Sequence, residues 1–340
     1  MAVQARIDRS APLAIDDGKA QTTFVLTTLL SSLLLQRFGI PFGQQLVSVS
    51  VPIVGVVVVW YLWVGVLDLN RHRVAILFGV LAVALLSYNH SVNAPFPFVT
   101  KISQASLLYW LLLTSFAVLR FSQPMEEGAF FRAVIRVLGF IAICGLGAFA
   151  AQFAGLTLFS FSNFLPAQFS FEPFYNVVIP IGDTTWFKAN GLFLVEPSTF
   201  SQFMALGLIC EWVNERRPWI IGLFLFALFS AVSGTGWLAV GGFVAYIGLT
   251  SGSRGLATAI GLSCVCVFAF VATGFILPDV TGTLTGRVDE FGLQGTSGNG
   301  RFVTPFLVTS HIYDLAPQAF FTGAGPGSSD TFSVFPMPMG

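Results

Sequence analysis

The sequence has little charge. Only 9% of its 340 residues are Asp, Glu, Lys or Arg, whereas a soluble domain carries about 25%. The 16 basic and 16 acidic residues give a formal net charge of zero, and no basic patch is interleaved with aromatic residues. A protein that binds nucleic acid would show such a patch. We therefore expect no nucleic acid among the partners.

Cysteine and histidine are also scarce. The four cysteines all lie inside apolar runs, and only three histidines are present. This pattern is neither a disulfide framework nor a zinc motif, and no His, Asp and Glu cluster has metal-ligand spacing. The glycine-rich run 323–328 lacks the Lys-Ser/Thr ending of a phosphate loop. We expect no metal and no cofactor.

Long hydrophobic runs dominate what remains. Hydrophobic residues make up 55% of the chain, and they come in blocks long enough to cross a membrane. We interpret the chain as an all-α, polytopic integral membrane protein with about nine transmembrane helices. The predicted helices span roughly 22–36, 45–67, 74–88, 104–120, 134–159, 198–213, 219–233, 236–250 and 256–278.

The distribution of Lys and Arg sets the expected orientation. In membrane proteins the short cytoplasmic loops contain more Lys and Arg than the outside loops. The predicted loops of this chain follow that rule if the N-terminus is placed in the cytoplasm. Because the chain then ends within an outside loop, we expect the sequence to be a piece of a longer protein. The predicted organisation is a cytoplasmic tail (1–21), five transmembrane helices (22–159), an extracytoplasmic loop (160–197), four transmembrane helices (198–278) and a large extracytoplasmic loop (279–340).

Glu196 is the acidic residue in the most informative place. It stands directly before Pro197 and a membrane-length apolar run, and proline suits the first turn of a helix. Glu196 is therefore expected at a helix N-terminus, where unpaired amides and the helix dipole favour a negative charge. On these grounds alone a helix cap at the membrane interface is the simpler interpretation, and a role in chemistry is the alternative.

A second group of candidates lies in the predicted outside loops. Lys188, Arg287 and Arg301 are cations there, and a phosphate-bearing ligand needs several such donors. Loop solubility and contact with anionic headgroups are the competing interpretations. His311 is the one histidine in the two long outside segments, so it is a candidate proton acceptor near neutral pH. Glu211, close to Arg216 and Arg217, is expected either to extend its carboxylate to the membrane surface or to pair locally.

These residues resemble a known family. The run Asn190-Gly191-Leu192-Phe193, followed by Glu196-Pro197-Ser198, is similar to a segment of bacterial O-antigen and exopolysaccharide polymerases, which are related to O-antigen ligases. In that family a span, a basic cytoplasmic loop and a span ending in Ser-Gly-Thr-Gly follow. In this chain the basic loop contains Arg216-Arg217, and the Ser-Gly-Thr-Gly motif is Ser233-Gly234-Thr235-Gly236. The resemblance covers roughly residues 186–330.

The resemblance implies a glycosyltransferase of the bacterial inner membrane. Its substrate would be an undecaprenyl-pyrophosphate-linked oligosaccharide, which needs no nucleotide sugar, and its partners would include membrane lipid and other polysaccharide assembly and chain-length proteins. By the same analogy Arg301 and Arg287 would bind the pyrophosphate, and Lys188 is a further candidate from its charge and its place in an outside loop. Glu196 or His311 would orient or deprotonate the acceptor hydroxyl.

Three other functions stay open at this stage. An O-antigen ligase would transfer the glycan to another acceptor, although the Glu-Pro-Ser form favours a polymerase. A transporter or flippase of lipid-linked sugars would need ionisable residues in the middle of its spans, and this sequence has almost none there. A membrane scaffold without catalysis would tolerate replacement of Arg301, Glu196 and His311.

Overall fold

The computed structural model describes most of the chain and divides it into two compact units. The first unit comprises residues 1–66 and 123–287, and the second comprises 67–122 and 288–340. The described residues are 16–42, 45–93, 107, 111–112, 114–156, 166–170, 178–181, 184–250, 252, 255, 257, 260–261, 263–264, 299–300 and 303–323.

Helices make up most of the described chain. The first unit contains six of the long helices and one small hairpin, and the second contains the remaining elements. In chain order the elements are α1 (Asp17–Leu34), β1 (Gly39–Phe42), β2 (Gln45–Ser48), α2 (Ser50–Trp63), β3 (Leu67–Leu69), α3 (Arg71–Asn93), β4 (Leu119–Phe121), α4 (Glu127–Phe153), α5 (Pro197–Asn214), α6 (Pro218–Ser230), α7 (Gly234–Thr250), α8 (Thr304–Leu315) and α9 (Ala319–Thr322).

Helix α5 is the centre of the first unit, because it packs against α4, α6 and α7. Its residues Phe200 and Met204 are fully buried, as is Phe224 of α6. The close approach of α5 and α6 depends on Gly207, where a Cβ atom would lie 2.5 Å from the Phe224 ring. Dense packing of this kind fixes the position of both ends of α5.

Seven of the nine predicted helices are present among the described residues, with boundaries that differ by up to seven residues. The helix predicted over 198–213 is α5, and α1 begins at Asp17 rather than at residue 22. The earlier start has a local cause, since the Asp16 carboxylate accepts the Lys19 N–H at 3.4 Å as an N-cap. The predicted helix over 256–278 falls mostly outside the described residues. The helix predicted over 104–120 is described in part, and its end is wrong: Phe116–Val118 form a 3-10 turn and Leu119–Phe121 form strand β4.

The chain is mostly helical, as expected, but it also contains two short antiparallel pairs of strands. The pair β1–β2 is a hairpin, whereas β3 and β4 lie on either side of α3 in the sequence. Strands β1 and β2 pair with Gly39 opposite Ser48, and β3 and β4 pair with Leu67 opposite Phe121. The helix predicted over 45–67 therefore begins only at Ser50. Residues 45–48 form backbone hydrogen bonds with β1 instead of a helical turn.

Two described helices are long and apolar enough to cross a membrane, namely α3 and α4. In their apolar windows only 6% of the α3 residues are buried, against 44% for α4. Helices α2, α6 and α7 are apolar but shorter. Large apolar side chains on α2 and α3 are exposed, including Trp63 and Phe78.

A buried ion pair joins the end of α5 to the start of α6. The fully buried Glu211 carboxylate accepts the Arg217 backbone N–H at 2.8 Å, its Nε at 3.0 Å and its Nη2 at 2.8 Å. This carboxylate raises the pKa of Arg217 above its ordinary value. The expected local pairing of Glu211 is confirmed, and Arg217 is its partner.

Gly236 lets the first turn of α7 lie directly against α5. A Cβ atom there would overlap the Ser201 carbonyl and lie 2.5 Å from Leu228. We predict that Gly236→Ala lowers the free energy of unfolding by about 1–3 kcal/mol, because the two helices would have to separate. The matched control is Gly241→Ala on the same helix, where a Cβ atom would meet nothing within 4 Å.

Unfolding of both variants in detergent micelles, followed by circular dichroism, provides the comparison. Alanine is the better helix former, so Gly241→Ala should be neutral or slightly stabilising. Equal stability of the two variants would show that α5 and α7 do not approach as described.

Candidate functional site

The segment that leads into α5 is held by backbone contacts with two other helices. On α4, the Gln152 amide accepts the Phe187 N–H at 2.8 Å and donates to the Phe187 carbonyl at 3.2 Å. On α6, the Ser230 carbonyl accepts the Ala189 N–H at 2.9 Å. Residues 187–189 are therefore tied to the helices on either side before the chain reaches α5.

A strained turn follows at Asn190-Gly191-Leu192-Phe193. Gly191 and Leu192 have φ angles of 70° and 66°, and the left-handed region is unfavourable for a side chain such as leucine. The Asn190 Oδ1 atom accepts the Leu192 N–H at 3.0 Å and helps to hold the turn. Glycine is required at position 191 for two reasons. Its φ angle is positive, and a Cβ atom would lie 2.6 Å from the Phe200 ring of α5.

Glu196 lies at the N-cap of α5, with Pro197 in the first turn. This position confirms the placement predicted from sequence. The side chain forms no hydrogen bond with the amides of the helix, so Glu196 is not a simple side-chain cap. Instead one carboxylate oxygen, Oε2, accepts the Ser198 hydroxyl at 2.6 Å. Glu196 is partly exposed.

Hydroxyl groups join the start of α5 to the start of α7. The Ser201 hydroxyl donates to the Ser198 carbonyl at 2.8 Å and accepts the Gly236 N–H at 3.2 Å. The Thr235 hydroxyl lies 3.0 Å from the Ser201 oxygen and 3.2 Å from the Ser198 carbonyl. We call these four residues the hydroxyl junction. It brings Glu-Pro-Ser together with Ser-Gly-Thr-Gly, which lies about 35 residues further along the chain.

Two cations near this site are buried rather than exposed. Lys188, which was expected in an open outside loop, is 2% exposed. Arg37 is 1% exposed, and its Nε and Nη2 atoms donate to the Leu194 carbonyl at 2.9 and 2.7 Å. Sequence reasoning did not identify Arg37, since a single arginine between two apolar runs looks like an ordinary loop residue.

The other three predicted site residues lie outside the described part of the first unit. Arg287 and Arg301 lie outside the described residues. His311 lies on α8 in the second unit and is partly buried. Of the five residues predicted from sequence, Glu196 and Lys188 are therefore the two described in the first unit. Within the described part of the chain, no three His, Cys, Asp or Glu side chains are grouped to hold a metal ion.

No family model, curated protein or solved structure matches the chain. The function proposed below therefore depends on the motifs and on the geometry around Glu196.

The hydroxyl junction gives a direct test on Ser201. We predict that Ser201→Ala lowers the free energy of unfolding by about 1–3 kcal/mol, because the buried Gly236 N–H loses its acceptor. Ser230→Ala is the matched control. Ser230 is also buried and donates to the carbonyl three residues earlier, but its hydroxyl joins no second helix.

Denaturant titration of both proteins in micelles measures the difference. A loss for Ser230→Ala as large as that for Ser201→Ala would contradict the assignment of the junction as the connection between α5 and α7.

Proposed function

We propose that the protein polymerises undecaprenyl-pyrophosphate-linked oligosaccharide repeat units into O-antigen or exopolysaccharide at the extracytoplasmic face of the bacterial inner membrane. The single observation that supports this function best is the hydroxyl junction. The two stretches that carry the resemblance, 190–198 and 233–236, are distant in sequence and meet beside Glu196. The two motifs therefore form one structural unit at the N-terminal ends of α5 and α7.

The membrane placement is supported by the distribution of apolar surface. Helix α3 is 23 residues long, and its apolar window is almost entirely unburied. Exposed apolar side chains at this density are costly in water and suit contact with lipid. We propose that these helices belong to a multi-pass protein of about nine spans with a cytoplasmic N-terminus, which puts Glu196 on the outside.

The proposed reaction is a glycosyl transfer between two lipid-linked chains. The acceptor hydroxyl oxygen attacks the anomeric carbon of the donor sugar, and the bond from that carbon to the pyrophosphate oxygen breaks. Glu196 accepts the hydroxyl proton, and undecaprenyl pyrophosphate leaves with the bonding electron pair. The Ser198 hydroxyl at 2.6 Å holds one carboxylate oxygen of Glu196 in place, which restricts the orientation of the carboxylate.

Stabilisation of the leaving group is assigned to cations. Arg301 and Arg287 are proposed to bind the pyrophosphate as negative charge develops on it. Lys188, the third proposed cation, is buried and so is not an open loop ligand. His311 is the second candidate for the base.

The test is complementation of a strain that lacks the gene and normally makes surface polysaccharide. We predict that Glu196→Gln, which keeps the shape of the side chain but cannot accept the proton, lowers polymer formation by at least about 100-fold. Single repeat units should accumulate on the lipid carrier, as seen by gel analysis of the extracted glycan.

Glu126→Gln is the matched control. Glu126 is likewise the N-cap of a long apolar helix and makes no side-chain cap bond, but its side chain is 73% exposed. This variant should make normal polymer. If Glu196→Gln made polysaccharide of wild-type amount and length, Glu196 would have no part in the mechanism. If long chains remained on the lipid carrier, the protein would be a ligase instead.

A further inference from the structure

Arg37 is a charged residue in an unusual position. Its side chain is 1% exposed, and two of its nitrogen atoms donate to one carbonyl, that of Leu194, which lies 157 residues further along the chain. Removing a guanidinium from water costs several kcal/mol unless good hydrogen bonds compensate. A buried arginine therefore needs a structural or functional reason, and what it binds indicates that reason.

The carbonyl that Arg37 binds lies between the strained turn and Glu196. Leu192, with a φ of 66°, comes two residues before Leu194, and Glu196 comes two residues after it. Left-handed backbone is unfavourable at a residue with a side chain, so the turn persists only where its surroundings hold it. Asn190 holds one side of the turn, and Arg37 holds the other.

The distance from Leu194 to Glu196 is short enough to transmit this constraint. Two residues of chain span at most about 7 Å, and the Leu194 side chain is itself fully buried. On its other side Glu196 is fixed by α5, since its carbonyl accepts the Phe200 N–H at 3.1 Å. The Glu196 backbone is therefore anchored on both sides, and Arg37 supplies the anchor before the helix.

We infer that Arg37 is a positioning residue that sets the place of the Glu196 carboxylate through the Leu194 carbonyl. At 1% exposure it presents almost no surface to a ligand, so it acts through the backbone and not by binding substrate. The effect on catalysis rests on the function proposed above. The effect on the loop does not.

Two variants and one control test this inference in proteoliposomes supplied with lipid-linked repeat units. Arg37→Gln removes the paired donors, and Arg37→Lys keeps the charge but not the two-pronged geometry. Arg73→Gln is the control, because Arg73 also donates to a backbone carbonyl, that of Ala117 at 3.3 Å, but is exposed and lies in the second unit.

We expect Arg37→Gln to lower kcat by about 10- to 100-fold with little change in KM, because a shift of about 1 Å in a catalytic group has effects of this size. Arg37→Lys should recover part of kcat, and Arg73→Gln should equal wild type. The double variant with Glu196→Gln should be no slower than Glu196→Gln alone, since both changes act on one group. Additive losses, or normal kcat for Arg37→Gln, would overturn the inference.

Amide hydrogen exchange separates this inference from the proposed function. Arg37→Gln should speed exchange at residues 189–196 by at least about 10-fold, and Arg73→Gln should not. If the wild-type protein makes no polymer, the proposed function fails, and exchange alone decides whether Arg37 holds the loop. Unchanged exchange at 189–196 in both Arg37 variants would overturn the inference whatever the activity. The lysine variant decides the matter if Arg37→Gln does not fold.

Discussion

The contact of α7 with α5 at Ser201 is the interaction on which the site depends. The Ser201 hydroxyl accepts the Gly236 N–H, and the two backbones approach so closely that a side chain at position 236 would overlap α5. Buried N–H groups need a partner, so the hydroxyl and the missing side chain are required together. This contact fixes the start of α5, and with it the position of Glu196.

The loop before α5 is constrained as strongly as the helix. Leu192 stays in the left-handed region because Asn190 and Arg37 form hydrogen bonds with the loop on either side of it. Gly191 also packs closely against the Phe200 ring. Strain of this kind gathers at functional positions. Here Glu196 follows four residues after Leu192, so a strained stretch of backbone leads to the residue proposed for the chemistry.

How much the sequence predicts depends on the range of the interaction. The start of α5 at Pro197 and the pairing of Glu211 follow from neighbouring residues, and both predictions are confirmed. The early start of α1 depends on the Asp16 cap, a local signal that the hydropathy pattern hides. The burial of Arg37 has no local signal, because its partner is 157 residues away. The four-residue strands are equally invisible, since only their pairing defines them.

The most direct test of the account is polymerisation by the purified protein with one substrate. The full-length protein in proteoliposomes would receive undecaprenyl-pyrophosphate-linked repeat units alone, and the products would be separated by length. The account predicts a ladder of longer glycans on the lipid, with one undecaprenyl pyrophosphate released for each linkage formed. Intact single repeat units, in the presence of correctly inserted protein, would contradict it.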